Sequence, residues 1–176
     1  MKTKIRKGLF ETNSSSTHSI VIGNNGEDIY ANLPEKVRFT GGAFGWEHEV
    51  YTDIEDKASY LFTSLLYTDT PFEYVDSIKE TLSKWGVEAE FDEIIEKHWS
   101  GGSTYYETKD GYNDYVDHGS ENKDLVKALC SDDTLLMNYL FSDASYVETS
   151  NDNDDYDYDI LGEEPKNALY EYFKGN

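Results

Sequence analysis

The chain has 176 residues, among them fifteen tyrosines, eight phenylalanines and three tryptophans, which is apolar and aromatic surface enough for one domain with a real core. Fifteen Lys and Arg oppose 36 Asp and Glu, a formal charge of −21, which sets the chain against nucleic-acid backbones and anionic membranes and toward basic surfaces, nucleic-acid-binding clefts included. No run of 18 apolar residues reads as a membrane span, the basic start lacks the apolar stretch of a secretory signal, and the single Cys130 excludes an internal disulfide or an all-cysteine metal site; a cytoplasmic protein is expected.

Lys2, Lys4, Arg6 and Lys7 open the chain, so the remainder is more acidic still. Lys4 to Glu11 reads as a strand that leads into a polar stretch. There Glu11-Thr12-Asn13-Ser14-Ser15-Ser16-Thr17-His18-Ser19 lies between Leu9-Phe10 and Ile20-Val21-Ile22. Such a run is either a knot of side-chain-to-backbone hydrogen bonds or a presentation of Glu11, Asn13 and His18 to a ligand. Ser19 to Gly23 reads as a strand, Asn24-Asn25-Gly26 as a turn, and Val37 and Phe39 as the inward positions of a half-buried strand. Gly41-Gly42-Ala43-Phe44-Gly45-Trp46 ends that strand and runs into Glu47-His48-Glu49.

Asp53 to Tyr67 has Ile54, Ala58, Leu61 and Leu65 at helical spacing, with Asp53 at the N-cap. A second helix carries Phe72, Val75, Ile78, Leu82 and Trp85 between Pro71 and Gly86. Phe91, Ile94, Ile95 and His98 extend the helical pattern as a short third helix. Ser103 to Tyr112 reads as a strand, Asp110-Gly111 as its hairpin turn, and Tyr112 to His118 as the return strand. Asn122 to Leu129 and Asp132 to Phe141 read as helices and Ser145 to Thr149 as a last strand. An acidic loop at about 148–164 then precedes a C-terminal helix from Pro165 through Phe173. The expected fold is α+β: a single compact domain over 1–176, with an antiparallel sheet and about five helices.

The chain holds no P-loop, dinucleotide fingerprint, zincin helix or nucleophile elbow. Three of its four histidines stand beside carboxylates. His18 follows Glu11, His48 sits between Glu47 and Glu49, and His118 follows Asp117. Zinc accepts imidazole and carboxylate together, so His18, Glu47, Asp117 and His118 form a candidate metal site. The bland alternative makes His48 a solvated rim residue and Asp117-His118 a hairpin end. His98 reads as a core or cap histidine and Cys130 as an inert helix-end residue. The run Asn151 to Asp159 lacks the glycine and glutamate of an EF-hand loop and reads as a solvated acidic strip.

Three stretches together carry a resemblance. They are Gly8 to Ser19, Gly41 to Glu47, and Tyr115-Val116-Asp117-His118-Gly119-Ser120 with the later Glu148 to Asp154. They resemble a family of small phage and prophage proteins that begin Phe-Glu-Thr-Asn-Ser-Ser-Ser-His-Ser, and the likeness spans most of the chain. The family pattern has Glu at the position of Ala43 and Gln at that of Gly119. His18, Trp46, Glu47, Asp117 and His118 keep to the pattern, which implies one shared site. Some phage proteins of this size and acidity are anti-CRISPR proteins, and the chain is similar in kind to those of type II. The resemblance implies an acidic inhibitor that works by binding and not by chemistry. Its partner would be a basic nucleic-acid-binding host protein, a CRISPR effector nuclease, and the chain would touch no nucleic acid itself. Asp152, Asp154, Asp155, Asp157 and Asp159 would stand in for phosphates on the partner's Lys and Arg groups, or grip a lobe and block a conformational step. The four metal candidates would then be a zinc staple. The competing expectation is a metal-dependent hydrolase of a phosphorylated small molecule or nucleotide, with Glu47 as base and His18, Asp117 and His118 as ligands.

Overall fold

The computed structural model describes residues 16–24, 29–98, 102–109, 111, 114–151 and 170–174. Within them the chain is α+β. In chain order the elements are β1 (Ser16–Ile22), β2 (Lys36–Phe39), β3 (Ala43–Phe44), β4 (Glu49–Tyr51), α1 (Ile54–Leu65), α2 (Pro71–Lys84), β5 (Glu88–Phe91), β6 (Ile94–His98), β7 (Thr104–Thr108), β8 (Tyr115–Val116), α3 (Lys123–Ser131), α4 (Asp133–Phe141), β9 (Tyr146–Asn151) and β10 (Tyr170–Lys174). Among the described residues no helix is long and apolar enough to cross a membrane.

The main sheet has the strand order β10-β1-β9-β4, with every pairing antiparallel. Its inner face follows from the period of two along β1. His18, Ile20 and Ile22 are fully buried, and opposite them on β9 stand Thr149 and Val147, also fully buried. Against this face lies α1. An ordinary surface helix buries one stripe, but here nine consecutive residues, Lys57 through Leu65, are buried. The apolar positions Ala58, Leu61 and Leu65 fill the core, and the polar ones hold neighbouring backbone. Ser59 Oγ donates to the Thr40 carbonyl at 2.9 Å, and the Gly42 N–H donates to Thr63 Oγ1 at 3.0 Å. These two bonds fix the glycine-rich turn that leads toward Gly45.

The ends of α2 fall where the sequence puts them. Pro71 occupies the first helical position, where a missing N–H costs nothing. Gly86 takes φ 74°, and the N–H groups of Gly86 and Val87 close back on the carbonyls of Ser83 and Leu82, both at 3.1 Å. That is a Schellman closure, with Val87 and Leu82 both buried. Asp53 occupies the N-cap of α1 without a side-chain cap bond, whereas Asp132 caps α4 by accepting from Leu135 N at 3.0 Å.

Among the described residues four helices stand in place of about five, and three expectations change. The short helix expected over residues 91–98 is two strands. β5 runs parallel to β2, with the Phe39 and Phe91 rings stacked at 4.4 Å, and β6 pairs antiparallel with β7. The spacing of Phe91, Ile94, Ile95 and His98 suits a helix, but Asp92-Glu93 breaks it into two extended pieces whose β-branched and aromatic residues favour pairing. The hairpin expected around Asp110-Gly111 is displaced. β7 takes its partner from β6 upstream, and β8 pairs parallel with β3. Thus two of the four sheets are parallel pairs, each closed over intervening helices as parallel pairing requires. The C-terminal helix expected through Phe173 is replaced, over residues 170–174, by β10, which pairs with β1 from Ile22↔Tyr170 to His18↔Lys174. Tyr170, Tyr172 and Phe173 are strand formers, and β1 offers them an edge.

Candidate functional site

The three stretches singled out in the sequence meet at one buried point, and His18 is its centre. From the inner face of β1 its Nε2 lies 2.9 Å from the Gly45 carbonyl oxygen and its Nδ1 lies 2.9 Å from the Tyr60 hydroxyl of α1. A carbonyl only accepts, so in the neutral ring Nε2 carries the proton and Nδ1 accepts from Tyr60. The Tyr60 oxygen then accepts from Asn122 Nδ2 at 3.0 Å, and the same amide donates to Ser64 Oγ at 2.9 Å. The bonds therefore run in one direction, from Asn122 through Tyr60 and His18 to Gly45. All four residues with side chains in this network are fully buried, so each bond is made out of reach of water. Phe44 packs edge-on against Tyr60 at 5.1 Å and against Tyr51 at 5.2 Å, which closes the network on the β3 side. The Asn122 Oδ1 atom has no hydrogen-bond partner among the described residues.

The backbone around this point places the other candidates. Asp117 N donates to the Phe44 carbonyl at 2.9 Å, and the Asp117 carboxylate accepts from His118 N at 3.1 Å. His118 itself sits at φ 51° and opens the 3₁₀ turn Gly119–Asn122, which delivers Asn122 to Tyr60. A Cβ on Gly119 would lie 2.6 Å from the Tyr67 ring, so only glycine lets this turn seat. Gly45 is roofed in the same way. A Cβ there would lie 2.7 Å from Glu47 Oε2 and 2.8 Å from the Tyr115 hydroxyl. Trp46, next along, is 51 % exposed.

Of the four residues proposed as metal ligands, His18 is thus buried with both ring nitrogens on protein partners. Glu47 and His118 are exposed, and Asp117 is half-buried. Among the described residues, no group of three or more His, Cys, Asp or Glu is arranged to hold a metal ion. The acidic positions Asp152, Asp154, Asp155, Asp157 and Asp159 lie outside the described residues, as does the polar stretch before Ser16.

A different set of carboxylates comes together on the described surface. Glu47, Glu49, Asp53, Glu55, Asp56 and Asp143 are exposed around the start of α1 and the end of β4. Glu49 accepts from the Tyr51 hydroxyl at 2.5 Å. Burial, then repulsion from Asp53, Glu55 and Glu49, pushes the Asp56 carboxyl above its ordinary value. Among the described residues, no lysine or arginine forms an ion pair with any of the six. Five lysines are engaged elsewhere: Lys36 with Glu90, Lys84 with Asp133, Lys97 with Glu107, Lys109 with Glu93 and Lys123 with Asp69.

Beneath this face lies a residue that sequence reasoning missed. Lys57 is 1 % exposed, and its ammonium donates at 3.2 Å to each of the Ser142 and Ser145 carbonyls, at the C-terminal end of α4. The negative end of the helix dipole suits a cation there. Tyr139 donates to the Lys57 carbonyl at 2.8 Å from the same helix. Burial still lowers the Lys57 ammonium to about 8, with Asp143 and Asp53 acting in the opposite sense. Its signal in the sequence was a lone lysine at the head of an otherwise uncharged stretch, Ala58 to Tyr67. Tyr60, Ser64 and Asn122 left weaker signals, since each fits an ordinary helix. The chain matches no protein-family model, no curated protein and no solved structure.

Proposed function

We propose that this chain is an acidic inhibitor of phage origin, without catalysis of its own, that docks on a basic face of a host nucleic-acid-binding protein, a CRISPR effector nuclease being the foremost target. One observation carries the reading. The six carboxylates around the start of α1 form no ion pair with a lysine or arginine among the described residues, the buried Lys57 ammonium acting on Asp53 and Asp143 only at longer range, while five lysines are engaged with other acids. A carboxylate already held by a lysine must give up that bond to meet a partner. These six meet a lysine or arginine with nothing of the kind to break, and each such contact is a charge-assisted hydrogen bond. Their summed field also speeds the encounter with a basic surface and makes it salt-dependent.

The network below the face supports the same reading by giving it a rigid base. Gly45, which the Glu47 carboxylate overlies, is tied through His18 to α1 and through Tyr60 to Asn122. Side chains carried on a fixed backbone lose less entropy on docking than side chains on a mobile loop. The exposed Trp46 and Val50 add apolar surface among the charges, the composition of an interface centre.

The test is a cleavage assay with purified type II effector nucleases, run beside a binding measurement. The chain should suppress cleavage, and binding should weaken steeply between roughly 50 and 200 mM salt. Neutralising Glu49, Asp53, Glu55 and Asp56 together should weaken it further at low salt. Full cleavage in an excess of the chain, across effectors of several kinds, removes the nuclease as target. Binding unmoved by the four neutralisations removes the acidic face as the docking surface.

A further inference from the structure

The end of the main sheet supplies a binding mode for this face. β4 is the last strand in the order β10-β1-β9-β4, and its outer side pairs with no strand among the described residues. Open edges invite another strand, and proteins usually blunt them with lysine, proline or a covering element. Here the strand residues Glu49 and Val50 are exposed, Val50 at 36 %, and Trp46 stands exposed just before them at 51 %. The charge at this edge is all of one sign. Glu47 precedes the strand, Glu49 lies on it, and Asp53, Glu55 and Asp56 follow within one helical turn, none in an ion pair with a lysine or arginine among the described residues.

That pattern selects among occupants. A second copy of the chain would bring the same carboxylates to the same edge, and like charges across a strand pair oppose each other. A neutral strand would gain backbone bonds but leave the charges unmet. An extended segment rich in Lys and Arg satisfies both demands: its backbone completes the ladder, and its side chains reach the carboxylates on either side. We infer that the β4 edge is a strand-addition site for a lysine- and arginine-bearing extended segment of a partner protein, seated as the fifth strand of the main sheet. This rests on the acidic face being the docking surface, and it names the part of the partner that the face takes.

The raised Asp56 carboxyl fits the same picture. Repulsion from Asp53, Glu55 and Glu49 contributes to it, and an arriving cation relieves that repulsion. Phe44 packs against Tyr51, which anchors β4 on its inner side.

The probes are three synthetic peptides of one length. One alternates Lys or Arg with Val. The second has the same sequence with alternate backbone nitrogens methylated along one edge, and the third carries Glu in place of the basic residues. Methylation removes strand-pairing donors and keeps every charge. Binding to the full chain is read by titration, and amide exchange is followed at residues 49–52. The basic peptide should bind and slow exchange at those amides. The methylated peptide should bind about tenfold or more weakly, and the Glu peptide should not bind. Equal binding of the basic and methylated peptides, both sensitive to salt, overturns strand addition and leaves the acidic face standing. Failure of both basic peptides to bind overturns strand addition as well, and the four neutralisations then decide whether the face itself survives.

Discussion

The Tyr60 hydroxyl lies 2.9 Å from Nδ1 of His18, and this bond joins the central helix to the central strand where the described parts of the three distinctive stretches of the sequence adjoin. Its direction is set at both ends. The Gly45 carbonyl obliges Nε2 to carry the proton, and the Asn122 amide obliges the Tyr60 oxygen to accept.

Replacing His18 by Leu should therefore destabilise the fold strongly. It keeps the volume but leaves the Gly45 carbonyl and the Tyr60 hydroxyl buried without this partner. A loss of about 3 kcal/mol is expected, at the upper end of single substitutions. Tyr60→Phe should cost less, about 1–2 kcal/mol, since it removes one donor and one acceptor together. In the double variant the losses should fall short of the sum, because both act on one bond. Urea unfolding of the four proteins measures this. Full additivity would show that the two side chains are not coupled.

Lys57 sets a pH dependence of definite sign. Its folded-state value, about 8, lies below its ordinary 10.5. Between those values the unfolded chain holds a proton that the folded chain has released, so stability rises with pH across this window. Below pH 8 the cost of the buried ammonium is present in full. The gain across the window should be on the order of 3 kcal/mol. Cys130 works in the opposite direction, since burial raises its thiol to about 12, but it is shared with a Lys57→Met variant. The difference in unfolding free energy between wild type and Lys57→Met isolates the lysine. A difference that stays flat from pH 7 to 10.5 would contradict the buried position of the ammonium.

The acidic face should weaken the protein that carries it. Neutralising Asp56 by Asn removes a carboxylate that burial and three acidic neighbours already disfavour, so the melting temperature should hold or rise slightly. The carboxyl is raised from 3.8, so the folded chain binds its proton first, and lowering the pH toward that raised value relieves the penalty. Asp133 behaves in the opposite way. Lys84 and then Thr81 hold its carboxyl below 3.8, so its contribution is present above 3.8 and disappears as pH falls through the lowered value. The pair is exposed, and Asp133→Asn should cost no more than about 1 kcal/mol. Thermal melts of both variants at pH 7 give the two signs.

Two glycines should respond to alanine for different reasons. At Gly86 the added Cβ meets nothing within 4 Å, and the cost comes from φ 74°, about 1 kcal/mol. At Gly23 the Cβ would lie 2.3 Å from that of Ala144 and 2.9 Å from its backbone, so the backbone just after β1 must move. Gly86→Asn should recover part of its loss, because Asn tolerates the left-handed region. Gly23→Asn should recover none.

The helices α1, α2, α3 and α4 were legible because their signals are local. Pro71 and Gly86 bracket α2, and Ile54, Ala58, Leu61 and Leu65 repeat at helical spacing. Strands were legible where burial alternated, as at Val37 and Phe39, and where a short apolar or β-branched run stood alone, as in β1, β7 and β9. What failed was pairing, which depends on residues far apart: β7 with β6 instead of a return strand, β8 with β3, and β10 with β1. The site divided the same way. His18 stood out as a scarce residue in a polar run, and its role as a network centre was one of the two readings open to it. Its partners did not stand out, because one is a backbone carbonyl and the others, Tyr60 and Asn122, look like ordinary helix residues.

The strand order also governs how the chain is made. β9 lies between β1 and β4 and bonds to both, so until residue 151 has been synthesised neither has its shared neighbour. β1 must wait longer for residues 170–174 on its other side. A chain growing from its N-terminus therefore has α1 and α2 well before it can close the main sheet, and the waiting β1 keeps its apolar residues Ile20, Val21 and Ile22 without their β9 partners until residues 146–151 are made. Products that stop before residues 146–174 should be sticky fragments, not working halves, because the main sheet then lacks β9 and β10.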